Sequence, residues 1–355
     1  MIFLAKILLG DTVNQEIDLK NYSVRTDLVI DLFKDEVNDP FVEVKKEYEN
    51  GINVTDVLVK KDENSLGKKH GKYMTITFSD ITDKENLKNV EKVFIKCLKE
   101  MISYLNIKEN DKVLIIGLGN LDSTPDSLGP KVVQDVVITK YLFDNPEIDV
   151  GSSYRNVSAF VPGVLASTGI ESSDMVLGII DKTKPDFVMV IDALASSSLD
   201  RINKTIQMTD SGIHPGSGIG NNRKEISKEV LGIPVISIGV PTVIEAITLV
   251  SDTIQYMYQH LSYNKDNLTR NKLVPIENRN YLNHHGELTK EEKEKLMGQV
   301  GSLTELETKR LIFEVLTPIG YNMMVTPKEI DFLIEKLVFL LSDGINKCLH
   351  KNFDI

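Results

Sequence analysis

The sequence predicts an α/β fold in which a mostly parallel central sheet is flanked by helices. Three short runs rich in β-branched residues have the composition of strands buried on both faces, and they cover residues 113–116, 186–191 and 234–240. Segments with helical periodicity separate these runs, and this alternation is typical of doubly wound sheets with right-handed crossovers. In such sheets the chemistry usually lies beyond the carboxyl ends of the strands.

The segment before the first run contributes two strand regions and one helix to this prediction. Residues 41–59 and 71–79 alternate well enough between apolar and polar side chains to indicate strands. Residues 86–105 are amphipathic at helical spacing and lead into the first buried run. The apolar positions of this helix are Leu87, Val90, Val93, Phe94, Cys97 and Met101.

Further elements follow from the same periodicities. Residues 263–300 are strongly polar, and we predict an exposed insertion or lid segment there. The remaining predicted elements are strands over 157–160 and 205–208, a loop and helix within 162–185, and helices over 131–142, 243–261, 304–316 and 327–350.

Composition limits the class of protein. The chain has 355 residues and a formal net charge of −11, which argues against nucleic-acid binding because such proteins normally present a basic face. Cys97 and Cys348 are far apart and in helical contexts, so we expect buried thiols in a reducing compartment. The apolar opening residues lack the features of a secretory signal, and no later segment has the length of a membrane span. We therefore expect a cytoplasmic protein.

Two acids follow two of the buried runs and form the candidate site. Asp126 lies in the loop after the first run, and Asp192 directly follows the second. If the two strands are neighbours, both carboxylates face one crevice and one of them holds a shared proton. Such a pair suits acid–base hydrolysis of a peptide bond. The alternative is that each acid caps a helix or anchors a loop.

Several other motifs are weaker. Gly117-Leu118-Gly119 begins like a dinucleotide fingerprint, but Asp122 occupies the position of the third glycine. The triplet at 210–212 echoes the Asp-Ser/Thr-Gly of pepsin-like proteases without their sequence context. The glycine-rich stretch 214–221 lacks the lysine of a phosphate loop, so we interpret it as a binding loop or a structural turn. His70 and the pair 284–285 lack further metal ligands at suitable spacing, and no cofactor is predicted.

Six long motifs occur in the order found in the germination protease of spore-forming bacteria, and the chain resembles that family from about residue 22 to 350. The motifs are GLGNLDSTPDSLGPKVV, PGVLASTGIES, KPDFVMVIDALA, DSGIHPGSGIGN, IPVISIGVPTV and GYNMMVTPKEID. The resemblance implies a fold similar to that of hydrogenase-maturation peptidases, without a required metal. It also implies a protease that degrades small acid-soluble spore proteins.

The resemblance further implies roles for particular residues. The family's two essential aspartates fall on Asp126 and Asp192. Self-cleavage is implied between Asp27 and Leu28, which would make residues 1–27 a propeptide. Residues 28–355 would then form a single peptidase domain with the polar insertion. A homotetramer in the forespore is also implied.

The chain departs from the family pattern in three places. The N-terminal arm is longer than expected, Glu245 stands where an aspartate is expected, and Asp122 could compete as a third acid. Two rival functions remain open. One is a metal-dependent maturation peptidase that uses the same acids with a histidine such as His214. The other is a non-catalytic module that binds peptides or small molecules.

Overall fold

A computed structural model describes the chain over residues 26–33, 37–216, 224–267, 286–316, 323–351 and 353. The chain divides into two compact units. The sheet unit comprises Arg25–Ile244 and Val325–Ile355, and the helical unit comprises Met1–Val24 and Glu245–Met324.

A sheet in the order β1-β2-β3-β7-β8-β6-β4-β5 forms the centre of the sheet unit. The strands are β1 (Val42–Glu49), β2 (Ile52–Val59), β3 (Gly71–Thr77), β4 (Val113–Gly117), β5 (Val157–Phe160), β6 (Phe187–Ser196), β7 (Thr205–Thr209) and β8 (Val235–Glu245). A further two-residue strand, β9 (Met324–Val325), is not part of this order. All three runs predicted as buried strands are therefore strands. They lie side by side as β4, β6 and β8.

The sheet has a parallel half and an antiparallel half. Strands β5, β4, β6 and β8 are parallel, as the alternation of strands and helices predicts. Strands β1, β2, β3 and β7 extend the sheet in antiparallel pairing, so the parallel part is smaller than predicted. The antiparallel half starts with a tight hairpin between β1 and β2. Asn50 and Gly51 form its two-residue turn, and their φ values of 51° and 81° suit such a turn.

Helices of the sheet unit flank this sheet, which confirms the predicted α/β class. The helices of the sheet unit are α1 (Lys84–Tyr104), α2 (Leu128–Asp135), α3 (Lys140–Phe143), α4 (Leu165–Thr168), α5 (Ser172–Thr183), α6 (Lys228–Leu231) and α10 (Ile330–Leu349), and those of the helical unit are α7 (Ala246–Asn267), α8 (Lys290–Met297) and α9 (Glu305–Leu316). Short 3-10 turns cover Val29–Leu32, Thr124–Asp126, Leu199–Arg201 and Gly298–Ser302.

Helix α1 begins where the sequence supplies a cap. The carboxylate of Asp83 accepts hydrogen bonds from the backbone N–H groups of Glu85 and Asn86. All six apolar positions predicted to face the core are buried. With α2 and α10, this helix covers one face of the sheet, and α5 covers part of the other.

The predicted helix over 131–142 is interrupted. Helix α2 ends at Asp135, Val136 is extended, and α3 begins only at Lys140. A run of four β-branched residues over 136–139 disfavours continuation of the helix. The side chain of Asn346 secures the break, because its Oδ1 accepts a hydrogen bond of 2.8 Å from the N–H of Val137.

The helical unit has its own small core. Ile247 of α7 and Ile312 of α9 are buried together. Helix α8 begins with a capping box between Thr289 and Glu292, and Lys265 pairs with Glu292 at 2.6 Å. The predicted polar insertion falls within this unit, and its residues 268–285, including the pair at 284–285, lie outside the described residues. Among the described helices, none is long and apolar enough to cross a membrane.

Candidate active site

Asp192 lies on β6, a central strand that pairs in parallel with both β4 and β8. The preceding residue, Ile191, pairs with Gly117, the last residue of β4. The sequence predicted that Asp192 follows the end of its strand. This prediction was wrong, because β6 continues to Ser196 and Asp192 lies inside it. It is nevertheless the first residue of β6 beyond the end of β4. Its side chain therefore belongs to the edge where the neighbouring strand gives way to a loop.

The carboxyl group of Asp192 accepts a hydrogen bond from the backbone of the next residue. The residue is 6% exposed, and its Oδ1 accepts a hydrogen bond of 2.9 Å from the N–H of Ala193. Its parallel partner on β8 is Gly239, which has no side chain. Burial on a central strand gives this carboxyl group a fixed position, as catalytic geometry requires.

Asp126 lies in a compact loop between β4 and α2. The N–H of Asp126 donates to the carbonyl oxygen of Ser123 at 2.8 Å, and its own carbonyl oxygen accepts from the N–H of Asn120 at 3.0 Å. The residue is partly exposed. The N-cap residue of α2 is Ser127 rather than Asp126, so the cap role weighed from the sequence does not explain this acid.

Two glycines allow this loop to approach β6 closely. A Cβ atom on Gly129 would collide with the carbonyl oxygens of Ile191 and Leu118. Gly119 has a φ of +119°, which favours glycine, and a Cβ there would collide with the carbonyl oxygen of Asp126. The 3-10 turn that carries Asp126 consequently contacts β6, the strand that carries Asp192. The fold thus brings the two predicted acids into one neighbourhood.

The competing acids and histidines take other positions. Asp122 is exposed in the same loop, where its N–H donates to Asn120 Oδ1. His214 is exposed and lies 3.8 Å from the carboxylate of Glu225. Glu245 is buried and is the first residue of its part of the helical unit. The described residues contain no group of three potential ligands that could hold a metal ion.

The remaining sequence motifs have structural explanations where they are described. Asp210 accepts a hydrogen bond of 2.6 Å from the N–H of Lys72, and burial raises the pKa of its carboxyl group. His70, in a polar loop as predicted, bonds to Asp62 at 2.8 Å. Residues 217–223 of the glycine-rich stretch lie outside the described part of the chain.

The segment around the predicted cleavage site packs against β6, which the sequence did not predict. The N–H of Asp27 donates to the carbonyl oxygen of Ala195 at 3.1 Å, and the N–H of Ala195 donates to Asp27 Oδ2 at 2.9 Å. The next two side chains, Leu28 and Val29, are fully buried. Residues 26–27 are partly exposed, so the bond between Asp27 and Leu28 marks the point where the chain enters the core.

Two polar side chains hold this segment. Gln207 donates from Nε2 to the carbonyl oxygen of Asp27 at 3.1 Å and accepts at Oε1 from the N–H of Val29 at 2.7 Å. Lys68 Nζ donates to the carbonyl oxygens of Thr26 and Asp27 at 3.3 and 3.2 Å. Burial lowers the pKa of the Lys68 ammonium, although the nearby carboxylates act in the opposite direction.

Asp31 closes the network from the other side. Its Oδ2 accepts hydrogen bonds from Thr26 Oγ1 at 2.7 Å and from Ser196 Oγ and the N–H of Ser197, both at 2.9 Å. The side chain of Asp31 is only 1% exposed. A signal existed in the sequence: Thr26 and Asp31, five residues apart, flank the three apolar residues 28–30. The role of this spacing becomes visible only in the folded chain, where Asp31 contacts the end of β6.

Comparisons with known proteins indicate the same family over nearly the whole chain. The family model described as germination protease matches residues 26–355. The chain is 44% identical over 354 residues to the germination protease of Bacillus licheniformis, covering 95% of this chain and 96% of that protein. It is 42% identical over 362 residues to the germination protease of Priestia megaterium, covering 96% and 98%.

A search of solved structures gives a partial overlap with another peptidase. The [NiFe] hydrogenase maturation protease HycI from Thermococcus kodakarensis matches with 20% identity and a TM-score of 0.26. The overlap covers 41% of this chain and 80% of that one.

Proposed function

Because this chain belongs to the germination protease family, we propose that it is an endopeptidase in which Asp126 and Asp192 hydrolyse the peptide bond. The observation that carries the proposal is the close packing of the Asp126 turn against the strand of Asp192. In this proposal the two carboxyl groups act as a pair, in which one is ionised while the other keeps its proton.

Hydrolysis then needs only these two groups and a water molecule. The ionised carboxylate takes a proton from the water as its oxygen attacks the carbonyl carbon. The protonated carboxyl group donates a hydrogen bond to the carbonyl oxygen while negative charge develops there. When the carbon–nitrogen bond breaks, the leaving amine takes a proton from the dyad. The shared proton is restored at the end of the cycle.

The same activity would process the chain itself. We propose a cut between Asp27 and Leu28 that releases residues 1–27 and leaves 28–355 as the peptidase. The change from partly exposed to fully buried chain at this bond supports the proposal, because Leu28 and Val29, the first two residues after the cut, are already fully buried. The cut also suggests a preference for an acid before the scissile bond and an apolar residue after it.

The natural substrates and the assembly state belong to the same proposal. We propose small acid-soluble spore proteins as the substrates, in the forespore or spore core, which is a cytoplasmic compartment. The family name, germination protease, supports a role in germination. We also propose a homotetramer, and exposed apolar side chains on α10 offer a surface for contact between copies of the chain. Phe332 and Phe339 are 46% and 54% exposed and lie seven residues apart, hence on one face of the helix.

Intact-mass spectrometry over time at mildly acidic pH tests the proposal. The wild-type chain is expected to lose residues 1–27, and Asp126→Asn is expected to keep them, because a neutral amide cannot hold or transfer the shared proton. Asp122→Asn is the matched control from the same loop, and it should be trimmed like the wild type. Equal trimming of all three proteins would contradict the role of Asp126. Trimming that stops on chelation and returns with added metal would favour the metal-dependent rival.

A further inference from the structure

We propose that Asp31 and its neighbours form a binding site for a primary ammonium group, namely the α-ammonium that Leu28 acquires when the chain is cut. This inference rests on the proposed function, because the cut between Asp27 and Leu28 creates that group. In this proposal Asp31 senses the cut and transmits it to β6, the strand that carries Asp192. The ligand comes from the chain itself.

The first argument is that Asp31 is a buried carboxylate with one oxygen short of a donor. Its Oδ2 accepts three hydrogen bonds, but Oδ1 is buried and accepts none within the described residues. The nearest identified cationic atom is Arg201 Nε, at 3.6 Å from Oδ1, which is beyond hydrogen-bond distance. A buried charged oxygen without a donor is costly, so a further cation would be stabilising here.

The second argument is the position of the Leu28 nitrogen. The N–H of Leu28 donates to Thr26 Oγ1 at 3.1 Å, and that hydroxyl donates to Asp31 Oδ2 at 2.7 Å. One hydroxyl group therefore separates the nitrogen from the carboxylate. Hydrolysis breaks the bond between the carbonyl carbon of Asp27 and this nitrogen, and Thr26 leaves with the released arm. The hydroxyl is removed at the same moment that the nitrogen gains its charge.

The third argument is that the remaining chain keeps the nitrogen in place. The side chains of Leu28 and Val29 are fully buried. The N–H of Val29 donates to Gln207 at 2.7 Å, a bond that does not depend on the released residues. The new ammonium is therefore tethered close to Asp31, and a small shift replaces the bridging hydroxyl with a direct, charge-assisted hydrogen bond.

The charges around the site change in the same step. Before the cut, Lys68 and Arg201 face the carboxylates of Asp27 and Asp31. After the cut, the Asp27 carboxylate leaves with the arm and the ammonium takes its place as a charged neighbour. Lys68 and Arg201 are then like charges that oppose the new ammonium, whereas Asp31 is the acid that attracts it.

The proposed ion pair is connected to the catalytic strand. Asp31 Oδ2 is bonded to Ser196 Oγ and to the N–H of Ser197, at the end of β6. Asp192 lies on the same strand, and the released Asp27 frees the backbone groups of Ala195 between them. The cut therefore exchanges one set of contacts along β6 for another, which would distinguish the trimmed enzyme from its precursor.

The test separates this site from the self-cleavage activity. In the full-length chain, residues 24–27 are replaced by the recognition sequence of a site-specific protease that cuts directly before Leu28. The folded chain is then cut, and the cut is verified by mass. The pKa of the new α-amino group is read from the pH dependence of its acetylation, measured by mass spectrometry. The same measurement is made on Asp31→Asn and, as a matched control on an exposed acid, on Asp181→Asn.

We expect Asp31 to raise the pKa of the α-amino group by about one unit or more above its ordinary value near 8, a tenfold gain in proton affinity. Asp31→Asn should remove this gain and Asp181→Asn should keep it. A pKa at or below the ordinary value in the cut chain with native Asp31 overturns the proposal, even if Asp31→Asn does not fold. Because the added protease makes the cut, absence of self-cleavage would count only against the proposed function.

Discussion

The backbone N–H of Leu118 donates a hydrogen bond of 2.8 Å to the carbonyl oxygen of Ile191. This bond joins the first residue after β4 to the residue directly before Asp192. The loop that carries Asp126 therefore starts from a point fixed against the strand that carries Asp192. These backbone contacts help to fix the relative position of the two acids.

Gly129→Ala should disturb this arrangement. The added methyl group would meet the carbonyl oxygens of Ile191 and Leu118, so the start of α2 must move away from both strands. We expect a loss of about 1–3 kcal/mol in the free energy of unfolding, as overpacked sites show, together with a marked loss of proteolysis. Urea unfolding and cleavage assays measure the two effects.

Gly178→Ala is the matched control for this substitution. Gly178 lies inside α5, and a Cβ atom there meets no other atom within contact distance. Alanine should stabilise the helix by about 0.5–1 kcal/mol, because glycine is disfavoured in helix interiors. Unchanged activity in both variants would show that the approach of α2 to β6 does not position the acids.

Much of this geometry could be predicted from local sequence. The three buried runs predict β4, β6 and β8, because continuous β-branched stretches suit strands covered on both faces. Asp126 and Asp192 stand out since each follows such a run. The six apolar positions of α1 follow from helical spacing alone.

Other features depend on tertiary contacts that leave no local signal. Strand β7, over Thr205–Thr209, is visible in the sequence, but its antiparallel pairing with β3 and β8 is not. The extension of β6 past Asp192 is stabilised by its long parallel partner β8, and no residue type marks it. The role of Gln207 as a clamp on the segment after residue 26 also arises only in the folded chain.

Asp192→Asn is expected to abolish cleavage of a protein substrate while the fold is retained. The amide oxygen can still accept the hydrogen bond from Ala193, so the side chain keeps its position but loses its ability to take up a proton. Asp181→Asn, which changes an exposed acid on α5, should leave the rate unchanged. Circular dichroism and unfolding midpoints confirm that the variants are folded, and a wild-type rate for folded Asp192→Asn would exclude the two-aspartate mechanism.

The two thiols should be unreactive in the folded protein. Burial raises the pKa of Cys97 and of Cys348 to about 12, so at about pH 8 only about one molecule in ten thousand carries a thiolate at either site. Iodoacetamide should leave the mass of the native chain unchanged over hours and should add two groups after unfolding in urea. Rapid modification of the native chain would show that one of these helices opens readily.

Gln207→Met should loosen the segment that enters the core at Leu28. Methionine fills a similar volume but leaves the N–H of Val29 without its acceptor and the carbonyl oxygen of Asp27 without one of its donors. An unsatisfied buried group costs about 1–3 kcal/mol, so the free energy of unfolding should fall by about that amount. Gln134→Met, on the exposed side of α2, is the matched control and should change stability by less than about 0.5 kcal/mol.

Hydrogen exchange at Val29 provides the local measurement. Faster exchange there in Gln207→Met, with unchanged exchange in β4, is expected if Gln207 acts as a clamp, whereas equal protection of Val29 in both variants would exclude that role.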